Sequence, residues 1–226
     1  MVVRQTVSRL RSALLLVAAQ TLAACGGDGE PAPAHAFVVS SGQNAVWQYA
    51  IDTGGALTPM GAPVVATGSR PSALSVDPSH KYAYVANAGD DTVSQYVVGA
   101  SGALAAMSGK ATLPVGGRPV SVVIDAAGRH AYVVNSGANT VSQFTIDADG
   151  ALALMNPATV PTGDGPTSLK LDPAGQHAYV TNALDDSVSR YSLAADGGLV
   201  AMTVVATAPA YGALTSITVD PTGRFA

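Results

Sequence analysis

Charge is scarce in this chain: 12% of its 226 residues are Asp, Glu, Lys or Arg, and the single glutamate, Glu30, lies before the first repeat. Carboxylate chemistry therefore falls on aspartate. Aromatic residues make up only 5%, although 48% of the chain is hydrophobic. Much of that fraction is alanine, so the layers pack closely rather than around large side chains. The lone cysteine, Cys25, excludes an intramolecular disulfide. The four histidines, His35, His80, His130 and His177, have no metal-ligand spacing with a cysteine or carboxylate, so no metal and no cofactor are expected. A Gly-x-Ser-x-Gly elbow and a phosphate-binding glycine loop are also missing, which removes support for nucleophilic catalysis and nucleotide binding.

The N-terminus has a distinct character. Arg4, Arg9 and Arg11 form a basic region, and the apolar run from Ser12 to Ala19 is too short to span a bilayer as a helix. Leu22-Ala23-Ala24-Cys25 resembles the lipobox of bacterial lipoproteins. That resemblance implies cleavage before Cys25 and a lipid on its sulfur, which also accounts for an exported chain with one cysteine. Residues 1–24 then form a signal peptide and residues 25–35, rich in Gly and Pro, a flexible tether. Removing the signal takes three of the 11 basic residues and none of the 15 acidic ones, leaving a net charge of −7. Such a surface argues against a nucleic-acid partner. With Gly26 rather than Asp after the lipidated cysteine, the resemblance implies the outer membrane of the cell envelope, reached through the lipid anchor.

From residue 36 the chain repeats one sentence. Val76-Asp77-Pro78-Ser79-His80-Lys81-Tyr82-Ala83-Tyr84-Val85-Ala86-Asn87 returns as Ile124–Asn135 and as Leu171–Asn182. Phe37, Tyr84, Tyr132 and Tyr179 share one column, at a spacing proper to repeat architectures. Four strand words fill each period. The first is Ala-aromatic-Val. The second is Val-x-x-aromatic-x-aliphatic, as in Val46/Tyr49/Ile51 and Val141/Phe144/Ile146, with Gln48, Gln95, Gln143 and Arg190 on its opposite face. The third opens at Leu57, Leu104, Leu152 and Leu199, and the fourth runs into the Asp-Pro turn. The pattern predicts an all-β fold of four-stranded antiparallel β-propeller blades over residues 36–226.

Asp172-Pro173-x-Gly175-x-x-Ala178-Tyr179-Val180-Thr181-Asn182, followed by Ser187-Val188-Ser189-x-Tyr191, resembles the YVTN family of propeller repeats and the seven-bladed propeller lactonases. The latter include 6-phosphogluconolactonases. The resemblance implies about four repeats of an expected seven. The four circularly shifted repeats either close a small ring, with Leu214–Val219 completing the first blade, or belong to a larger one. A fifth repeat word that breaks off at Ala226 favours the larger ring.

Candidate site residues follow from blade topology. The loop entering the innermost strand and the loop after the second strand share one face around the funnel. The first carries Arg70, Arg118, Asp164 and Tyr211, and the second carries Asn87, Asn135 and Asn182. Arginine and asparagine donors there could hold a carboxylate or sugar acid; an asparagine that merely ends its strand is the plainer alternative. His130 and His177 share a column with Tyr82 and read as packing residues, and Asp147-Ala148-Asp149-Gly150 reads as a hairpin turn rather than a calcium loop. The lactonase resemblance implies His, Arg and Glu around the funnel of active members. The runs Arg70–Leu74 and Arg118–Val122 contain no His or Glu. The expected function is therefore a lipid-anchored envelope propeller that binds a sugar acid, a lactone or a protein partner, with lactone hydrolysis as the alternative. Whether the chain is an enzyme stays open at this point.

The lipobox reading has a direct test. In a Gram-negative host, Cys25→Ser is expected to abolish incorporation of labelled fatty acid and to leave the precursor uncleaved. Equal labelling of the variant would exclude lipidation at Cys25.

Overall fold

The computed structural model describes residues 16–20, 34–202, 205–206 and 214–220. Among the described residues every regular element is a strand, and the strands form four antiparallel sheets of meander order. The all-β, four-stranded-blade expectation holds. The first blade contains β1 (Leu16–Gln20), β2 (Ala34–Ser40), β3 (Ala45–Ile51) and β4 (Leu57–Ala66). The second contains β5 (Pro71–Val76), β6 (Tyr82–Asn87) and β7 (Thr92–Val98), with its outer strand divided into β8 (Leu104–Ala106) and β9 (Thr112–Pro114). The third contains β10 (Pro119–Ile124), β11 (His130–Asn135), β12 (Thr140–Ile146) and β13 (Leu152–Pro161). The fourth contains β14 (Pro166–Leu171), β15 (His177–Asn182) and β16 (Ser187–Leu193), with β17 (Leu199–Ala201) and β18 (Val205–Ala206) sharing the outer place. The division in the second blade has a local cause. Gly109 at φ 68° lets the chain turn between Met107 and Lys110, whose amide donates to the Met107 carbonyl.

Two features differ from the sequence reading. The innermost place in the first sheet is held by β1, paired antiparallel with β2 from Leu16↔Val39 to Gln20↔His35. The sequence assigns this run to the export leader, and Leu214–Val219 to the same place in a small ring. An uncharged run without proline meets what the free edge of β2 asks for, a row of backbone donors and acceptors. Residues 214–220 carry no strand assignment. Their register nonetheless follows the repeat, because Thr167 Oγ1 donates to the Leu214 carbonyl at 2.8 Å, as Ser72 Oγ does to the Pro119 carbonyl at 2.7 Å.

The cores lie between blades. Phe37, Val39 and Val46 of the first blade pack with Leu74, Val85 and Tyr96 of the second. Tyr84, Ala86 and Val93 pack with Val122, Val133 and Phe144. Tyr132, Val134 and Val141 pack with Leu169, Val180 and Tyr191. Alternate residues of one strand thus enter opposite cores: Ala83 and Val85 face back, and Tyr84 and Ala86 face forward. A strand buried on both faces must be apolar at every position, which is why Ala-Tyr-Val words recur without polar alternation.

Polar bonds cross the same interfaces. The Tyr84 hydroxyl donates to the Gly150 carbonyl and that of Tyr132 to the Gly197 carbonyl, each at 2.6 Å. Tyr96 reaches back to the Ala66 carbonyl at 2.7 Å and Tyr191 to the Pro161 carbonyl at 2.6 Å. Burial raises the pKa of all four phenols, that of Tyr191 to about 12, because a phenolate would be stranded away from water. A raised folded-state value means that the folded chain favours the neutral phenol. This contribution is complete below the unfolded value, about pH 10, and drains away as pH rises beyond it.

Tyr84→Phe is expected to lower stability by about 1–2 kcal/mol near neutrality, because the Gly150 carbonyl loses its donor. The variant should then lose less of its remaining stability than the parent between about pH 10 and 12. Denaturant melts at the two pH values read both effects, and an alkaline loss equal to the parent's would contradict the assignment.

Candidate functional site

One end of the blades collects two loop types. Chain segments 67–70, 115–118 and 162–165 enter the innermost strands, and segments 88–91, 136–139 and 183–186 join the second strand to the third. The two are laced together by backbone bonds: Ala88 N–H to the Arg70 carbonyl, Gly89 N–H to the Ser69 carbonyl, and their counterparts in the next two blades. They are also laced to the preceding blade. Asn44 Oδ1 accepts from Arg70 N–H at 2.8 Å, Asp91 Oδ1 from Arg118 N–H at 2.7 Å and Asn139 Oδ1 from Gly165 N–H at 3.0 Å. The accepting Asn44, Asp91 and Asn139 all sit in the left-handed region, where short polar side chains are tolerated. The result is a continuous rim.

Arg70 and Arg118 also adopt left-handed backbones, with φ of 49° and 51°. The corresponding residue in the fourth blade is Gly165, at φ 63°. Glycine is the unstrained choice there, and each arginine carries a steric penalty. Both arginines are exposed, and among the described residues neither guanidinium meets a partner. The rim carboxylates are engaged by contrast. Asp90 and Asp185 accept from the Ser69 and Asp164 amides, and Asp164 Oδ1 accepts from Asn139 Nδ2.

The asparagines part company with the arginines. Asn87, Asn135 and Asn182 are wholly buried beneath the loops. Their Nδ2 groups donate to hydroxyls of the adjoining strand: Asn87 to Thr92 and Ser94, Asn135 to Thr140 and Ser142, Asn182 to Ser187 and Ser189. Each amide lies flat under a glycine of the entering loop, and a Cβ on Gly68, Gly116 or Gly163 would fall 2.6–2.7 Å from Nδ2. Of the expected ring of arginine and asparagine donors, only the arginines reach the surface. The asparagines hold the loop down through side-chain hydroxyls rather than through their own backbone. Asn87 Oδ1 takes the Thr67 hydroxyl at 2.9 Å, whereas Asn135 Oδ1 and Asn182 Oδ1 have no partner among the described residues. Position 67 becomes Val115 in the next blade, which has no hydroxyl to give.

The opposite end holds a pattern that sequence reasoning missed. Asp125 Oδ2 and Asp172 Oδ2 lie 2.8 and 2.9 Å from Nδ1 of His130 and His177. The Asp-x₄-His spacing was the available signal. Burial works to raise the Asp172 carboxyl, but its bonds to His177 and the Gln176 amide outweigh that and hold it below the usual range. His130 does pack as expected, since a Cβ on Gly197 of the next blade would fall 2.5 Å from its ring. His35 belongs to β2 rather than to a tether, is buried, and packs likewise on Gly102. His80 takes the glycine position of its turn at φ 58°, and the Asp147 turn closes as a hairpin through the Gly150 amide. Cys25 and Tyr211 lie outside the described residues.

Residues 30–226 match a family model described as Lactonase, 7-bladed beta-propeller. A search of curated proteins found no match. Among solved structures, the Pseudomonas aeruginosa periplasmic gluconolactonase is 25% identical, with a TM-score of 0.65 over 93% of this chain and 60% of that one. A Bacteroides fragilis protein provisionally assigned as a 6-phosphogluconolactonase is 20% identical, with a TM-score of 0.70 over 83% and 58% of the two chains. Its Bacteroides uniformis counterpart is 16% identical, with a TM-score of 0.72 over 84% and 59%. The chain thus spans about three-fifths of the length of these structures.

Replacing a left-handed arginine by glycine removes strain and leaves the fold's bonds intact. Arg118→Gly is expected to raise stability by about 0.5–1 kcal/mol, read as a higher denaturant midpoint. A lower midpoint would mean that the Arg118 side chain itself stabilises the rim.

Proposed function

Because the chain belongs to the seven-bladed β-propeller lactonase family, we propose that its rim binds a sugar acid or sugar lactone. In this reading it is the ligand-binding face of an exported protein, tethered through a lipid on Cys25 to the outer membrane of the cell envelope, and cleavage before Cys25 would free the β2 edge that β1 covers in the uncleaved chain. One observation carries it. Arg70 and Arg118 repeat at equivalent rim positions, in a backbone conformation that favours glycine, with guanidiniums that meet no partner among the described residues. Strain retained twice for an exposed, unpaired cation is the mark of a side chain kept for what it meets outside the fold. A guanidinium matches a carboxylate in shape and charge, and it also suits a lactone carbonyl as the carbonyl gains negative charge.

The family match and the name of the Pseudomonas structure favour a second reading, hydrolysis of a lactone ring. Ring opening needs water delivered to the carbonyl, a base to take its proton and donors for the developing oxyanion. The described rim offers donors. Its carboxylates Asp90, Asp91, Asp164 and Asp185 already accept from backbone or side-chain groups, and Asp186 is also engaged, which leaves them poorly placed to serve as a base. Binding is therefore the role these blades support best.

The test uses the full-length protein. Calorimetric titration with gluconate is expected to show binding that Arg70→Ala/Arg118→Ala weakens by roughly tenfold or more. Unchanged affinity in the double variant would remove the arginines from the site. Loss of glucono-1,5-lactone faster than its spontaneous hydrolysis would establish the second reading.

A further inference from the structure

Two blades carry a carboxylate of their own in the rim, and the third has the place for one without the carboxylate. In the second blade Asp90 Oδ2 accepts from Ser69 N–H at 2.9 Å, and Oδ1 accepts from the Thr92 hydroxyl at 2.8 Å. In the fourth, Asp185 Oδ2 accepts from Asp164 N–H at 2.9 Å, and Oδ1 accepts from the Ser187 hydroxyl at 2.7 Å. One carboxylate thus bridges a loop amide and a strand hydroxyl in both cases.

The third blade keeps both donors. Gly117 supplies the amide, Thr140 the hydroxyl, and Ala138 stands where the aspartate would be. Thr140 Oγ1 accepts from Asn135 Nδ2 at 3.1 Å, the bond that Thr92 Oγ1 receives from Asn87 Nδ2 at 3.1 Å, so its hydrogen is free to point elsewhere. Among the described residues, neither the Gly117 N–H nor the Thr140 O–H meets an acceptor. Ala138 is exposed, so nothing in its own side chain covers the pair. Gly117 is also uncrowded: a Cβ there would lie no closer than 3.6 Å to a neighbouring atom. Arg118, exposed and without a partner for its guanidinium among the described residues, adjoins Gly117 and adds positive charge.

We propose that the third blade carries a carboxylate-binding subsite, in which a ligand carboxylate replaces the aspartate that Ala138 lacks. One oxygen takes the Gly117 amide and the other the Thr140 hydroxyl, with Arg118 beside them. The ligand class is a small organic acid whose carboxylate is unhindered, since it must enter as an aspartate side chain does. Its identification as a sugar acid rests on the function proposed above, whereas the slot itself rests on the donor pair alone.

The experiment is a residue-resolved amide titration of the full-length protein with acetate and, separately, with gluconate. Saturable shifts are expected at Gly117 and Thr140 with both. Ala138→Asp should fill the slot from within, fold at least as stably as the parent and weaken both titrations by roughly tenfold or more. Asp90→Ala should open the equivalent slot and add a second set of shifts at Ser69 and Thr92. Gly117 unmoved by either acid in the parent, or a parent-like titration in Ala138→Asp, would overturn the proposal. Shifts with acetate that gluconate fails to match would sustain the slot and count against the sugar-acid reading.

Discussion

A buried glutamine amide ties each of the first three blades to the next. Gln48 donates to the Ala62 carbonyl of its own blade at 2.8 Å and accepts from Leu104 N–H of the following one at 2.7 Å. Gln95 and Gln143 repeat the arrangement with the Lys110 and Pro157 carbonyls and the Leu152 and Leu199 amides. Only a side chain with a donor and an acceptor on one planar group can do this. An unpaired amide at such depth is costly, so the two bonds restrict how far one blade can slide against the next. The tyrosine-to-carbonyl bonds across the same interface add a second fixed distance. Blade rotation is thereby set by polar geometry, while the apolar cores supply most of the favourable burial.

A fixed rotation has a consequence at the rim. The entering loop of one blade is always presented at the same place to the asparagine or aspartate of the blade before it, so the loops can change side chains without losing register. Variation at single positions then becomes local chemistry. Gly165 pairs with Leu184 where Arg70 pairs with Gly89 and Arg118 with Gly137, and a Cβ on Gly165 would fall 2.5 Å from Leu184 Cγ. Bulk at one position is accommodated by glycine at the other. At this one position the rim therefore changes from arginine to a glycine beside an exposed leucine between the third and fourth blades, without any change in backbone plan.

Much of the blade was legible because its strands are buried on both faces. Ala-Tyr-Val words, Asp-Pro turns and the leucines that open the third strand are demands of packing and turn geometry, and such demands repeat. The site was less legible because its meaning lies in departures from the repeat. Asn87, Asn135 and Asn182 recur, and recurrence fits their buried structural role. Arg70 and Arg118 also recur, but their cost is visible only as a left-handed φ, which no residue pattern announces for arginine. The Asp125–His130 and Asp172–His177 pairs were obscured because Tyr82 fills the same column and pairs with Asp77 through its amide alone. The family match beginning at residue 30 takes in Glu30-Pro31, which stands five residues before His35 as Asp77-Pro78 stands before Tyr82. An extended Gly-Pro composition concealed that register.

Arg190 shows how one substitution in a structural column changes what an interface can accept. It occupies the glutamine position of the fourth blade and pairs through β15 opposite Tyr179, as Gln143 does opposite Tyr132. A guanidinium donates and cannot accept. Among the described residues the amide-to-glutamine bond that joins the first three blades to their successors therefore has no counterpart at Arg190, and a group seated against this guanidinium must bring the acceptor. Arg190 thus sets the fourth blade apart from the three before it at this one position, although its strands, turns and asparagine follow the same plan.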